Sequence, residues 1–326
     1  MKSLLIFSHI EVENANAIAG LTWGFPAISN FLGFAHALSR KLNNYCGLTL
    51  GGCAVVCHRH DVQAYQPSGW GDYVFALTRN PLTKEAKSPA FVEEGRMYLD
   101  ISLVIECDFK HHELDFPNTD DTDEAQEQHL IDWLYRQALM QRLAGGSIRS
   151  MRKPEYETSP LQNGRKLLMQ LLPGYFLVDR REILQRHHEK RLAANHRASL
   201  LDSWTDFVAI TYKAHAEGQE GELTDESAAT WERLPRPGSG WLVPISVGFK
   251  AISTLYQPGA VLRTRDVDTP FRFVESVYSI GQWISPHRIH DLASVFWHYQ
   301  QDGGWYLCRN DFSQSHQTQA SFDQGV

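Results

Sequence analysis

The sequence predicts an α+β protein: a ferredoxin-like (RRM-like) domain over residues 1–150, followed by a mixed helical and β C-terminal region. Three observations point there. Apolar runs and amphipathic stretches alternate in the order strand, helix, strands, helix, strand, the order of a split βαβ unit. Two stretches, 27–43 and 123–143, carry apolar residues at helical spacing, and the runs between them carry strand-like patterns. After residue 150 the pattern loosens into a helical region with a mobile linker (151–240), then a β-rich segment with a final helix (241–326).

Residues 3–12 are an apolar run long enough for a strand. Residues 27–43 place Ile28, Phe31, Leu32, Ala35, Leu38 and Leu42 on one helical face. Gly52–Tyr65 alternates, with Val56, His58, His60 and Val62 on one side, and reads as a second strand. Tyr73–Thr78 and Arg96–Cys107 read as two more, joined through a polar, proline-punctuated hairpin arm near 79–95. Asp123–Leu143 is acidic in its first turn and basic near its end, with Leu130, Trp133, Leu134, Ala138 and Met140 along the apolar side of a helix. Gly145-Gly146 stops it, and a short strand follows.

Beyond a polar link at 151–164, Arg180–Arg197 and Ala198–His215 read as helices. Glu217–Gly240 is rich in Gly, Glu, Pro and Ser and reads as a mobile linker. From Trp241 short apolar runs alternate with turns, a helix is expected over His287–Gln301, and the last dozen residues are polar.

Composition bounds the function. The 326 residues are 43% apolar and 21% charged, as in folded globular proteins. Five cysteines without CxxC spacing, and no secretory segment, predict reduced thiols and a cytoplasmic setting. No apolar run reaches the roughly 20 residues of a membrane span, so no membrane partner is expected. The net charge of −7 runs against a nucleic-acid binder, but its distribution does not. Residues 101–135 hold ten acidic side chains and one lysine, while 136–197 hold thirteen Lys/Arg against five Asp/Glu. Such a basic half holds a phosphate chain locally; equally, it is the pattern of a salt-laced helical surface.

The candidate site residues fall into five groups. Asn14, Asn16, Trp23 and Phe25 crowd into one loop between a strand and a helix, where amides and flat aromatics suit unstacked bases. Read otherwise, that loop is a turn with a hydrophobic plug. Arg142 with Gly145, Gly146 and Ser147 combines a charge, a hydroxyl and a backbone free of Cβ atoms, suited to a phosphate or to a plain helix stop. Arg79, Asn80 and Arg96 flank the polar arm, and Arg59 sits between His58 and His60. Arg272, His287 and Arg288 are the late cations, His287 following Pro286 as at a helix start. His36 is the acid/base candidate if the chain cuts RNA without metal.

Fifteen histidines raise the question of a metal. His58-x-His60-Asp61 has a spacing that a strand presents on one side, but it lacks further ligands. There is no HExxH, P-loop, GxSxG or dinucleotide fingerprint. No metal, cofactor or catalytic residue is expected.

A resemblance sharpens these readings. Asn14–Asn16, Leu21–Pro26, Gly33–Leu38, Val56–Arg59, Leu77–Pro81, Val92–Arg96, Arg142–Ile148, Leu171–Gly174, Gly240–Ile245, Arg272–Glu275 and Ser285–Arg288 form collinear blocks over most of the chain. In that order they resemble the 5′-handle-binding subunits of type I-F CRISPR surveillance (Csy) complexes, which are Cas-five-type RAMP proteins. The resemblance implies a ferredoxin-like RAMP domain and a non-catalytic role in antiviral defence. It implies binding to the 5′ handle of a CRISPR RNA, with Arg142–Ile148 as the glycine-rich loop against the guide. The implied partners are the large subunit, the backbone subunits and, in the assembled complex, target DNA. The alternatives are a metal-free RNA-processing endoribonuclease of the RAMP superfamily and a purely protein-contacting assembly subunit.

Overall fold

The structure is a computed structural model that describes residues 3–76, 82–89, 94–108, 123–216 and 228–312. In chain order its first elements are β1 (Ser3–Asn16), β2 (Ile18–Ala19), β3 (Thr22–Trp23), α1 (Ile28–Cys46), β4 (Leu50–Val62), β5 (Ala64–Tyr65), β6 (Val74–Phe75) and β7 (Arg96–Cys107). Then come α2 (Asp123–Leu139), β8 (Arg142–Leu143), β9 (Gly146–Ser150), β10 (Glu155–Glu157), α3 (Pro160–Gln170), β11 (Tyr175–Asp179), α4 (Arg181–Ala194) and α5 (Leu200–Val208). The last are β12 (Tyr212–Ala216), β13 (Ala229–Arg233), β14 (Leu242–Ala251), β15 (Val274–Ile284), β16 (His298–Asp302) and β17 (Trp305–Arg309). The α+β class stands.

One antiparallel sheet organises the molecule, in the order β16-β17-β14-β15-β11-β4-β7-β1-β9-β8, with β10 also on β1. β1, β4 and β7 are its long centre. One face carries Phe7, Ile10, Val55 and Ile101 against Phe31, Leu38 and Leu42 of α1 and Leu134 of α2. The other carries Ile6, Val56, Val104 and Phe176 against Leu167 and Leu168 of α3 and Phe296. Burial on both faces explains why Cys53–Cys57 is a continuous apolar run rather than an alternating one. A register shift between Cys57 and Arg59 ends that run, and the strand emerges exposed at Arg59. All five cysteines are free and buried. Burial pushes the Cys57 and Cys308 thiols up to about 12, far from reactive thiolates.

Four elements differ from the sequence expectations, the first being the polar link expected at 151–164, which holds β10 and the start of α3. The helix expected to Leu143 ends at Leu139, and Met140, expected on its apolar side, is 67% exposed. Arg142–Leu143 instead pairs with Gly146–Ser147 in a hairpin. Its two-residue loop, Ala144 (φ 50°) and Gly145 (φ 79°), has the left-handed backbone that matches strand twist. The helix expected over Ala198–His215 is α5 alone. Tyr212–Ala216 forms a ribbon with Ala229–Arg233, so part of the expected linker is strand; residues 217–227 lie outside the described ones.

The final helix over His287–Gln301 is absent. Pro286–Arg288 and Leu292–Val295 form single 3-10 turns and His298–Asp302 is strand. Ile289, Leu292, Val295 and Phe296, which are spaced as on one helical face, are buried. The backbone of Trp297, however, is committed to a two-bond bridge with Cys53 of β4, each N–H···O at 3.0 Å.

Candidate nucleic-acid interface

The sheet brings one set of the candidate residues together at the end of β1. A register shift between Val12 and Ala15 leaves Asn14 exposed at φ 58°. Its side-chain oxygen accepts from Gln63 Nε2 (2.9 Å), and its carbonyl accepts from an Arg96 guanidinium nitrogen (3.4 Å). Arg96 also pairs with Glu94. Asn16 stands opposite Arg96 in the ladder, and its N–H donates to the Ala144 carbonyl (2.8 Å). The β8–β9 hairpin is thereby fastened to β1. The Asn16 amide turns on Ile18, accepting from its N–H (3.3 Å) and donating to its carbonyl (3.2 Å), which sets the β2–β3 hairpin.

Gly146 is where β9 meets β1 most closely. A Cβ there would lie 2.4 Å from the Glu13 carbonyl oxygen and 2.8 Å from the Ala15 nitrogen. Only glycine lets the hairpin lie this close to the strand. Arg142 donates back to the Gly145 carbonyl (2.5 Å), and Ser147 is exposed beside it. Arg149 reaches Glu13 at 3.6 Å. Trp23 is 47% exposed, its ring against Phe75 with centroids 3.5 Å apart, and Gly95 gives it room. The end of β1 therefore presents three guanidinium groups, those of Arg96 and Arg149 each beside a carboxylate, with a hydroxyl, an amide and one aromatic face.

The other candidates lie elsewhere. Phe25, expected as half of an exposed aromatic pair, is 6% exposed: it packs on Phe31 and edge-on to Trp283, so it belongs to the core. His36 is on the exposed side of α1. Arg59 sits on β4 with Asp61 at 3.6 Å. Arg272 is exposed in the C-terminal part, and His287 and Arg288 line a cleft with Arg180 and Gln282. Arg79 and Asn80 lie outside the described residues.

The sequence reading missed Gln63, Phe75 and a polar cluster on β1, β4 and β7. There His9 and His58 stack at 4.3 Å, and His9 Nδ1 lies 3.1 Å from both Asp100 oxygens. His58 Nδ1 donates to the Pro173 carbonyl (2.6 Å), which leaves Nε2 to accept from the Ser102 hydroxyl (2.7 Å). Burial holds the His58 pKa below the usual imidazole range, against the Pro173 bond. His9, His58 and Asp100 offer ligand atoms within 4.8 Å of one another. His60 and Asp61, paired with His58 in the sequence reading, are not in this group. Local spacing could not reveal it, because strand register joins residues some ninety positions apart.

An α+β protein with an arginine-bearing glycine hairpin at one end of its central strands is the class that fold and site define. The chain belongs to the family described as CRISPR-associated protein (Cas_Csy2), which it matches over residues 5–308. It is 38% identical over 321 residues to the CRISPR-associated protein Csy2 of Pseudomonas aeruginosa (strain UCBPP-PA14), covering 94% of each chain. Family membership makes it a subunit of a type I-F CRISPR (Csy) defence complex. Among the described residues no helix is long and apolar enough to cross a membrane.

Proposed function

We propose that this subunit is a non-catalytic, Cas-five-type RAMP protein that holds the 5′ handle of a CRISPR RNA, working without metal or cofactor. The observation that carries the reading is the convergence of Asn14, Trp23, Arg96 and the Arg142–Ser147 hairpin at one end of β1. Arginines and hairpin amides hold phosphates there, and Trp23 stacks on a splayed base. The spatial order β4-β7-β1-β9, with α1 after β1 and α2 after β7, supports a ferredoxin-like domain. In the assembled complex the subunit pairs with the large subunit and abuts the first backbone subunit. Guide pairing then reads the target DNA while protein contacts fix geometry.

The test is co-expression with the other type I-F subunits and a guide precursor, purifying on a tag at this chain. A stoichiometric complex whose guide has a nuclease-protected 5′ handle is the expected outcome. A chain that purifies alone and shortens the precursor without metal is instead an endoribonuclease. A complex with an unprotected handle leaves only a protein-contacting role.

Trp23 gives a sharper measurement. Its ring is half-exposed and rests on Phe75 rather than in the main core. Trp23→Ala is expected to weaken handle binding by about 1–3 kcal/mol, the range for one base–aromatic stack. The melting temperature should stay within a few degrees. A large drop in melting temperature with unchanged affinity per folded molecule returns Trp23 to a packing role.

A further inference from the structure

We infer that the subunit carries a second phosphodiester-binding track, separate from the site at the end of β1. Two adjoining clefts, of about 640 and 620 Å³, share Arg180 and Ser239. The first is lined by Gln282, His287, Arg288 and His290, the second by Arg186, Lys190, Arg236 and Phe207. No carboxylate lines either cleft, in a chain whose net charge is −7.

The state of the cations supports an anion track. Arg180 is fixed by Glu182 (2.6 Å) and by the Gln282 side chain, so its guanidinium is held at the junction of the clefts. Asp206, a second nearby acid after Glu182, is engaged by His187 (2.7 Å) and Arg191 (2.5 Å). Arg186, Lys190, Arg236 and Arg288 are exposed. Among the described residues none of these four has a carboxylate within ion-pair distance. Like charges crowded without counter-charges repel one another, and a polyanion relieves that repulsion.

The lining also selects the kind of polyanion contact. Phe207 of the second cleft is buried, so neither cleft opens a Phe, Tyr or Trp ring for stacking. Arginine, lysine, histidine and a serine hydroxyl suit phosphate oxygens. The track thus follows a nucleic-acid backbone without reading bases.

Register separates this track from the β1 site. Tyr175 of β11 pairs with Cys57, and β11 runs antiparallel to β4, so Arg180 lies toward the Leu50 end of β4. Met97, beside Arg96, pairs with Val62 at the opposite end. His287 and Arg288 join the track because they line the same cleft as Arg180, and the inference does not rest on the handle reading.

The test uses the full chain in its assembled complex, with labelled oligouridylate and an unrelated DNA duplex as probes, titrated across salt concentrations. R186A/K190A/R236A is expected to weaken binding of the polymer that occupies the track by tenfold or more. The log–log salt slope should fall by about 2 for a single strand or about 2.7 for a duplex. The probe that changes names the source, and R186K/K190R/R236K is expected to restore binding. If the triple variant fails to fold, R236E alone, on an exposed loop, is expected to weaken the same probe. Unchanged affinity and slope for both probes in a folded variant overturns the inference. So does weaker complex assembly with both affinities intact in the complex that does form, which assigns the clefts to an acidic protein surface.

Discussion

Trp297→Ala is expected to destabilise the protein by about 3–5 kcal/mol, the range for removing a large aromatic side chain from a packed core. Trp297 is fully buried, and two anchors meet on it. Its indole N–H donates to the Leu177 carbonyl of β11 (2.9 Å), and its backbone bridges Cys53 of β4. Truncation opens a cavity and leaves the Leu177 carbonyl without its indole donor, so transfer, cavity and hydrogen-bond losses add. Urea unfolding monitored by circular dichroism measures the change. A loss under about 1 kcal/mol would show that the C-terminal segment packs loosely on β4 and β11. Trp297→Phe should recover most of the packing but not the hydrogen bond, and so fall between the two.

The paired substitution R96A/R142A is expected to lower handle affinity by tenfold or more for each arginine, since charge-assisted bonds are worth about 1.5–3 kcal/mol each. The salt slope for the single-stranded handle should drop by about 1.4. Stability should barely move. The Arg96–Glu94 pair is partly exposed, as is Arg142 at the hairpin, and such pairs contribute about 0–1 kcal/mol. Arg142→Lys keeps the charge but loses the forked donor geometry, so it should bind with intermediate affinity. Anisotropy with a labelled handle oligonucleotide reads both variants. Unchanged affinity and slope in the double variant would remove both arginines from the phosphate clamp.

The expectations that failed share a cause. Local periodicity does not report which backbone a segment adopts, and where the backbone differs, burial can differ with it, as at Met140. Ile289, Leu292, Val295 and Phe296 are spaced as on a helix and are buried, yet 3-10 turns and the extended residues beside them bury them, and Trp297 pairs with Cys53. Met140 and Arg142 continue the α2 pattern, but Ala144-Gly145 takes the backbone of a two-residue hairpin loop. Phe25 sits in a polar-looking loop, and its burial depends on Trp283, far away in sequence. The His9–His58–Asp100 cluster was likewise invisible, because β1, β4 and β7 must be in register before its members meet.

The sequence alone determined the α+β class, the strands β1, β4 and β7, the faces of α1, and family membership. These depend on short-range periodicity and on the order of residue blocks, which a linear chain records in full. The tertiary structure decided which candidates share a surface. It gathered Asn14, Arg96 and Arg142–Ser147 at one end of the sheet, withdrew Phe25 into the core, and set His287 and Arg288 beside Arg180 in a different cleft. The reason is physical: a site is a set of distances, and in an antiparallel sheet distances are fixed by register between strands remote in sequence.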